Sequence, residues 1–120
     1  MHEISLVRSI FRTLEDKFSK EELSQITQID LKVGLLANVE PILMQSAFEA
    51  VTQTEPQYAN TTLHIDLLPI VVHCPACQKE HTVQNYRFVC SCGTPTNQII
   101  QGNELLISQV HFKENFTYQS

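Results

Sequence analysis

Ile4, Val7, Ile10, Phe11, Leu14 and Phe18 recur every three or four residues, while Arg8, Arg12, Glu15 and Asp16 fall mostly off that stripe. A 3.6-residue period of this kind predicts an amphipathic first helix. Ser19 and Lys20 lead into a polar break. From Ile26 the period becomes two: Ile29, Leu31, Val33 and Leu35 alternate with Asp30, Lys32 and Gly34, the pattern of a half-buried strand. Asn38 is read as the N-cap of a second helix, with Glu40 and Pro41 in its first turn, where acid and proline are both favoured. Leu43, Met44, Ala47, Phe48 and Val51 supply that helix's apolar stripe.

Gln57 to Asn60 read as a loop, after which Leu63, Ile65 and Leu67 restart the two-residue alternation. Pro69 interrupts this second strand, and Ile70-Val71-Val72 carry the chain towards a cysteine-rich segment. Gly102-Asn103 marks a turn, and Leu105 to Phe112 form a third strand. The predicted fold is therefore α+β: two helices packed on a small three-stranded sheet, with a zinc-ribbon-like lobe inserted between the last two strands. Residues 1–69 and 99–113 would form the α/β domain, 70–98 the metal lobe and 114–120 a flexible tail.

Four cysteines fall within 19 residues, as Cys74-Pro75-Ala76-Cys77 and Cys90-Ser91-Cys92-Gly93. Two close pairs joined by a short hairpin bring four sulfurs to one tetrahedral centre, where Zn(II) is the ordinary occupant. The intervening Tyr86, Phe88 and Val89 are too few to bury a core, so metal binding would supply most of the lobe's folding free energy. Four protein ligands leave no open position for a substrate, which makes the zinc structural. The second pair has one residue between its cysteines where zinc knuckles usually have two. His73 or His81 could replace one sulfur; the four-sulfur set Cys74, Cys77, Cys90 and Cys92 is the expectation.

The other metal signal lies at Met1-His2-Glu3. The Met1 amine, the His2 backbone nitrogen and the His2 imidazole can close fused rings around one ion, and a further nitrogen or carboxylate completes a planar site. That geometry suits Ni(II) or Cu(II) rather than zinc. Histidine at position two is too bulky for routine removal of the initiator methionine, so Met1 is expected to keep its amine. His2-Glu3 does not open a zinc-protease helix motif, because Leu6 stands where a second histidine is needed. His64 and His111 are read as solvated strand residues.

The chain carries 8 basic and 13 acidic residues, a formal charge of −5. Only Lys79 and Arg87 lie between His73 and Thr94, a thin basic face for phosphate, so nucleic acid is not expected as a partner. No run approaches the length of a membrane span, and the N-terminus lacks the basic start and apolar stretch of a signal peptide. The expected compartment is the reducing cytoplasm, where cysteines hold metal more often than disulfides. No Walker sequence and no nucleophile motif is present, so no catalytic residue is assigned and an enzyme is not expected.

The opening MHEISL, the segment VGLLANVEPILMQSAFEA, the CPAC and FVCSCG pairs and the closing GNELLISQVHF occur in this order. Together they resemble the HypA/HybF family of hydrogenase maturation factors, from Met1 to Phe112. The resemblance implies a metallochaperone with transient Ni(II) on Met1, His2 and Glu3, and structural Zn(II) on Cys74, Cys77, Cys90 and Cys92. It also suggests Glu40 as an extra oxygen ligand to nickel. The implied partners are a HypB-like GTPase and the nickel–iron hydrogenase large subunit, with the protein a monomer or weak dimer. The alternative is a zinc-ribbon adaptor that binds protein or nucleic acid.

Overall fold

The structure, a computed structural model, describes residues 3–114 and 116–119. The chain divides into two compact units: residues 1–32, 39–66 and 106–120, and residues 33–38 and 67–105. The second unit is wider than the 70–98 span expected of the lobe, because the turn after the first strand and the return through Gly102 belong to it.

In the first unit, α1 (Glu3–Lys17) buries Val7, Ile10, Phe11 and Leu14, the predicted stripe without its first member; Ile4 is exposed. A short α2 (Lys20–Leu23) follows in the expected polar break. Ser19 caps it: its hydroxyl accepts from the Glu22 N–H at 3.2 Å, and the Glu22 carboxylate accepts from the Ser19 N–H at 2.8 Å. This reciprocal box is written in the sequence as Ser-x-x-Glu. The strand β1 (Ile26–Gly34) then buries Ile26, Ile29, Leu31 and Val33. Leu35 leaves the alternation, lying exposed in the turn Leu35–Ala37.

Asn38 ends that turn in the left-handed region, φ 58°, which its short polar side chain tolerates; it is not a helix N-cap. The cap of α3 (Pro41–Thr52) is Glu40, whose side chain makes no capping bond, and Pro41 opens the helix at a position that needs no N–H donor. The buried face of α3 is Met44, Ala47, Phe48 and Val51, while Leu43 is exposed. α1 and α3 pack on each other. Phe11 joins them, tilted against Phe48 with ring centres 5.5 Å apart and stacked on Tyr58 at 4.0 Å. Tyr58, in the short helical turn Pro56–Tyr58, is fully buried and satisfies its hydroxyl on Glu15 at 2.8 Å. Burial and that bond push its phenol well above the usual value.

The strands β2 (Thr62–Leu68) and β6 (Leu105–Phe112) form where the alternation predicts them, but β1 lies between the two, so the strands that lead into and out of the cysteine segment are not sheet neighbours. Part of the span expected as a tail, 114–120, is ordered as a strand. Thr117–Gln119 form β7, paired antiparallel to β6, so the sheet has four strands in the order β2-β1-β6-β7. Aromatic packing accounts for this: Phe18 meets Phe112 and Tyr118 edge-on, both at 5.3 Å, which buries apolar surface that a polar reading of the tail overlooks.

His111, expected to be solvated, is paired. Its Nε2 lies 2.8 Å from Asp30 Oδ2 across the β1–β6 pair, and Gln28 Nε2 donates to Asp30 Oδ1 at 2.7 Å. Burial raises the Asp30 carboxyl, but the His111 and Gln28 hydrogen bonds outweigh it and hold the group below the usual carboxylate range.

The second unit contains a three-stranded antiparallel sheet, β4 (Glu80–Thr82), β3 (Val71–His73) and β5 (Gln98–Gln101), in that order. Ile70, Val72 and Val83 form its core, with Leu36 and Phe88 packed against them. Two glycines close this unit. The Leu36 N–H donates to the Gly102 carbonyl at 2.8 Å, and a Cβ on Gly34 would land on that carbonyl. Gly102 has φ 131°, a conformation that L side chains rarely adopt. Gly34→Ala is therefore expected to destabilise the protein by about 2–3 kcal/mol, read from denaturant unfolding. A loss within 0.5 kcal/mol would show that this approach is not constrained.

Candidate metal centre

Each cysteine pair sits on its own tight turn. After β3 the chain folds back at Cys74–Lys79: the Cys74 N–H donates to Lys79 O and the Gln78 N–H to Cys74 O, both at 2.9 Å. Gln78 takes φ 59° to make the reversal, and its side chain donates to Pro75 O at 2.7 Å. The second pair uses Cys90–Thr94. Here the Gly93 N–H donates to Cys90 O at 2.8 Å and the Cys90 N–H to Thr94 O at 2.9 Å, with Gly93 at φ 91°. The one-residue spacing is thus built into a closed turn, and glycine supplies the positive φ that follows it.

The two turns bring all four sulfurs within 4.8 Å of one another. Contacts run across the pairs: Cys74 Sγ to Cys92 Sγ is 3.7 Å and Cys77 Sγ to Cys90 Sγ is 3.5 Å. Four thiolates around one zinc at about 2.3 Å stand roughly 3.8 Å apart, so these separations fit a tetrahedral ion. They are far beyond a disulfide bond of about 2.05 Å, and the cysteines are free thiols. The donor set therefore suits a metal that takes four sulfurs. Among the described residues this is the single group of three or more ligating side chains so arranged.

Hydrogen bonds divide the thiols unequally. Thr94, through its hydroxyl 3.3 Å from Cys92 Sγ and then its backbone, brings the Cys92 thiol down to about 6. The Cys92 backbone lowers Cys90, whereas bonding to Cys90 and Cys74 pushes Cys77 up to about 11. A bound divalent ion favours the thiolate form at every ligand. Thr94 escaped the sequence reading; its one signal is a hydroxyl residue two places after a cysteine.

His73 and His81 do not join the sulfur group. His73 faces Glu80 and Gln98 in the strand register. Both His81 ring nitrogens are buried without a hydrogen-bond partner. Of the residues read as a nickel site, Met1 and His2 lie outside the described residues. Glu3 begins α1, half-buried, and Glu40 is exposed at the α3 cap. Neither falls in a ligand cluster among the described residues.

A family profile described as "Hydrogenase/urease nickel incorporation, metallochaperone, hypA" matches residues 1–112. The chain belongs to the HypA family. A hydrogenase maturation factor HypA from Desulfitobacterium hafniense is 32% identical over 95% of this chain and 100% of its own length. That from Shewanella oneidensis is 28% identical over 95% and 97%. A guanidine hydrolase-activating protein A from Synechocystis is 35% identical over 92% and 93%. The solution structure of the Ni metallochaperone HypA from Helicobacter pylori aligns with TM-score 0.63 and 24% identity over 93% of this chain and 97% of that one, which supports the fold. The HypA membership expected from the sequence, and with it the α+β architecture, stands. Among the described residues no helix is long and apolar enough to cross a membrane.

Stripping metal with a strong chelator is expected to collapse the amide signals of residues 70–98 in a two-dimensional NMR spectrum, with those of α1 and α3 unmoved. Zinc should restore them. Persistence of a dispersed lobe spectrum in metal-free protein would rule out metal as its main support.

Proposed function

We propose that this protein is a nickel carrier: it takes Ni(II) as cargo on Met1, His2 and Glu3, with Glu40 as an additional oxygen, and delivers it to an enzyme under maturation. The observation that carries this is the family match, which runs from residue 1 and includes that tripeptide. The chemistry agrees with it. An amine, an imidazole and carboxylates are nitrogen and oxygen donors suited to nickel, and a site at a chain end exchanges ligands more readily than a closed cage. Glu40 supports the reading because its carboxylate is exposed and uncommitted to capping. The four cysteines hold Zn(II), which staples the second unit and takes no part in delivery. The proposed cycle is carriage and transfer without catalysis, and its partners are a HypB-like GTPase and the nickel–iron hydrogenase large subunit.

A second recipient is favoured by one specific observation. The guanidine hydrolase-activating relative is more similar to this chain, at 35% identity, than the hydrogenase maturation relatives at 28% and 32%. In this reading the carrier is the same and guanidine hydrolase receives the service. An adaptor role on nucleic acid finds little support, since Lys79 and Arg87 are the only cations of the cysteine segment.

Binding of Ni(II) displaces protons from an amine with reference pKa near 8 and an imidazole near 6.5, so affinity should fall as pH drops through roughly that range. His2→Ala, or extra residues before Met1, should weaken the tightest nickel site at least about a hundredfold (about 2.7 kcal/mol) while zinc content stays unchanged. Calorimetric titration with parallel zinc analysis reads both. An extended protein that keeps its full nickel affinity would sink the N-terminal assignment.

A further inference from the structure

The outer face of the first unit's sheet carries a second set of nitrogen and oxygen donors. On β1 the side chains of Ile29, Leu31 and Val33 go into the core, so the alternate residues, Asp30 among them, take the opposite face. Leu63 of β2 and Val110 of β6 are likewise buried, which puts His64 and His111 on that same face. The strand order β2-β1-β6 places Asp30 between the two histidines.

Three observations bear on what this row can do. First, His111 Nε2 and Asp30 Oδ2 are 2.8 Å apart. Two bonds of about 2.0–2.1 Å at a right angle set their donors roughly 2.8–3.0 Å apart, so an ion can take the place of the shared proton with little movement of either group. Second, His111 Nδ1 lies 3.4 Å from the Thr117 hydroxyl of β7. A histidine that ligates through Nε2 carries its proton on Nδ1 and needs an acceptor there, and Thr117 provides one. The proton simply moves from Nε2 to Nδ1 by way of solvent, with none lost overall. Third, Thr61 and Thr62 donate through their hydroxyls to Ile26 O and Thr27 O, so the starts of β1 and β2 advance together. At about 3.3 Å per residue, this sets His64 within one to two residues of Asp30 along the neighbouring strand. His64 is exposed and near enough for its charge to help lower the Asp30 carboxyl. Its ring must turn to complete a site, since the three donors do not yet lie within 4.8 Å of one another.

We propose that Asp30, His64 and His111 form a second divalent transition-metal site, an N₂O face that takes Ni(II). Gln28, holding Asp30 Oδ1 at 2.7 Å, orients the carboxylate so that Oδ2 faces the ion. The site stands on the sheet alone and does not depend on the N-terminal tripeptide.

The test uses zinc-loaded full-length protein carrying His2→Ala, titrated with Ni(II) by calorimetry while the histidine ring signals are followed by NMR. One nickel per chain is expected, with shifts or broadening at His64 and His111 and none at His73 or His81. His64→Ala, at an exposed position that leaves the fold intact, should lower this affinity at least about tenfold, and Thr117→Val should weaken it in the same direction. The proposal is overturned if the His2→Ala protein binds no nickel, if the ring changes fall on His73 or His81, or if His64→Ala leaves binding unchanged. Failure of the N-terminal reading looks different: His2→Ala would then cost no affinity at all.

Discussion

The second unit depends on four sulfurs meeting at one point. Its apolar core is Ile70, Val72 and Val83 with Leu36 and Phe88 beside them, too little burial to fix a segment this rich in turns. Structural zinc in small domains contributes on the order of 10 kcal/mol, which outweighs anything three aliphatic side chains supply. The local backbone is shaped to that end. Positive φ at Gln78 and Gly93 and the close approach of Gly34 to Gly102 are conformational costs that a metal can offset.

The first unit is stabilised differently. Phe11, Phe48 and Tyr58 form an aromatic centre between α1, α3 and the turn before β2, and a second aromatic group at Phe18, Phe112 and Tyr118 holds β7. Such a core needs no metal. In the proposed function, cargo and staple are separated by chemistry: soft thiolates gather in one unit, while the amine, imidazole and carboxylate donors proposed for nickel belong to the other. A carrier benefits from that division, because exchange at the labile site leaves the structural ion untouched.

Much of this was legible in the sequence, and the failures have physical causes. The helix stripe from Val7 to Leu14, the β1 alternation and the cysteine pairs all depend on local spacing, which a sequence states directly. The Asp30–His111 pair depends on strand register, which two distant segments set jointly; alternation shows only that each lies on a polar face. Leu43 and Leu35 read as core because they are apolar and fall within the helix stripe and the strand alternation, yet a helix start and a turn carry them outward. β7 was missed because its polar residues outnumber Phe116 and Tyr118, and aromatic contacts with Phe18 and Phe112 decided the matter. Asn38 has the residue type of a cap but serves as a left-handed turn. The Ser19–Glu22 box was readable and overlooked.

The claim that ties these observations together is that two metals are sorted by donor type within one short chain. X-ray absorption at the zinc and nickel edges of protein loaded with both metals tests it most directly. The account predicts a zinc shell of four sulfurs at about 2.3 Å and a nickel shell of nitrogen and oxygen alone. A nitrogen in the zinc shell, or sulfur in the nickel shell, would contradict it.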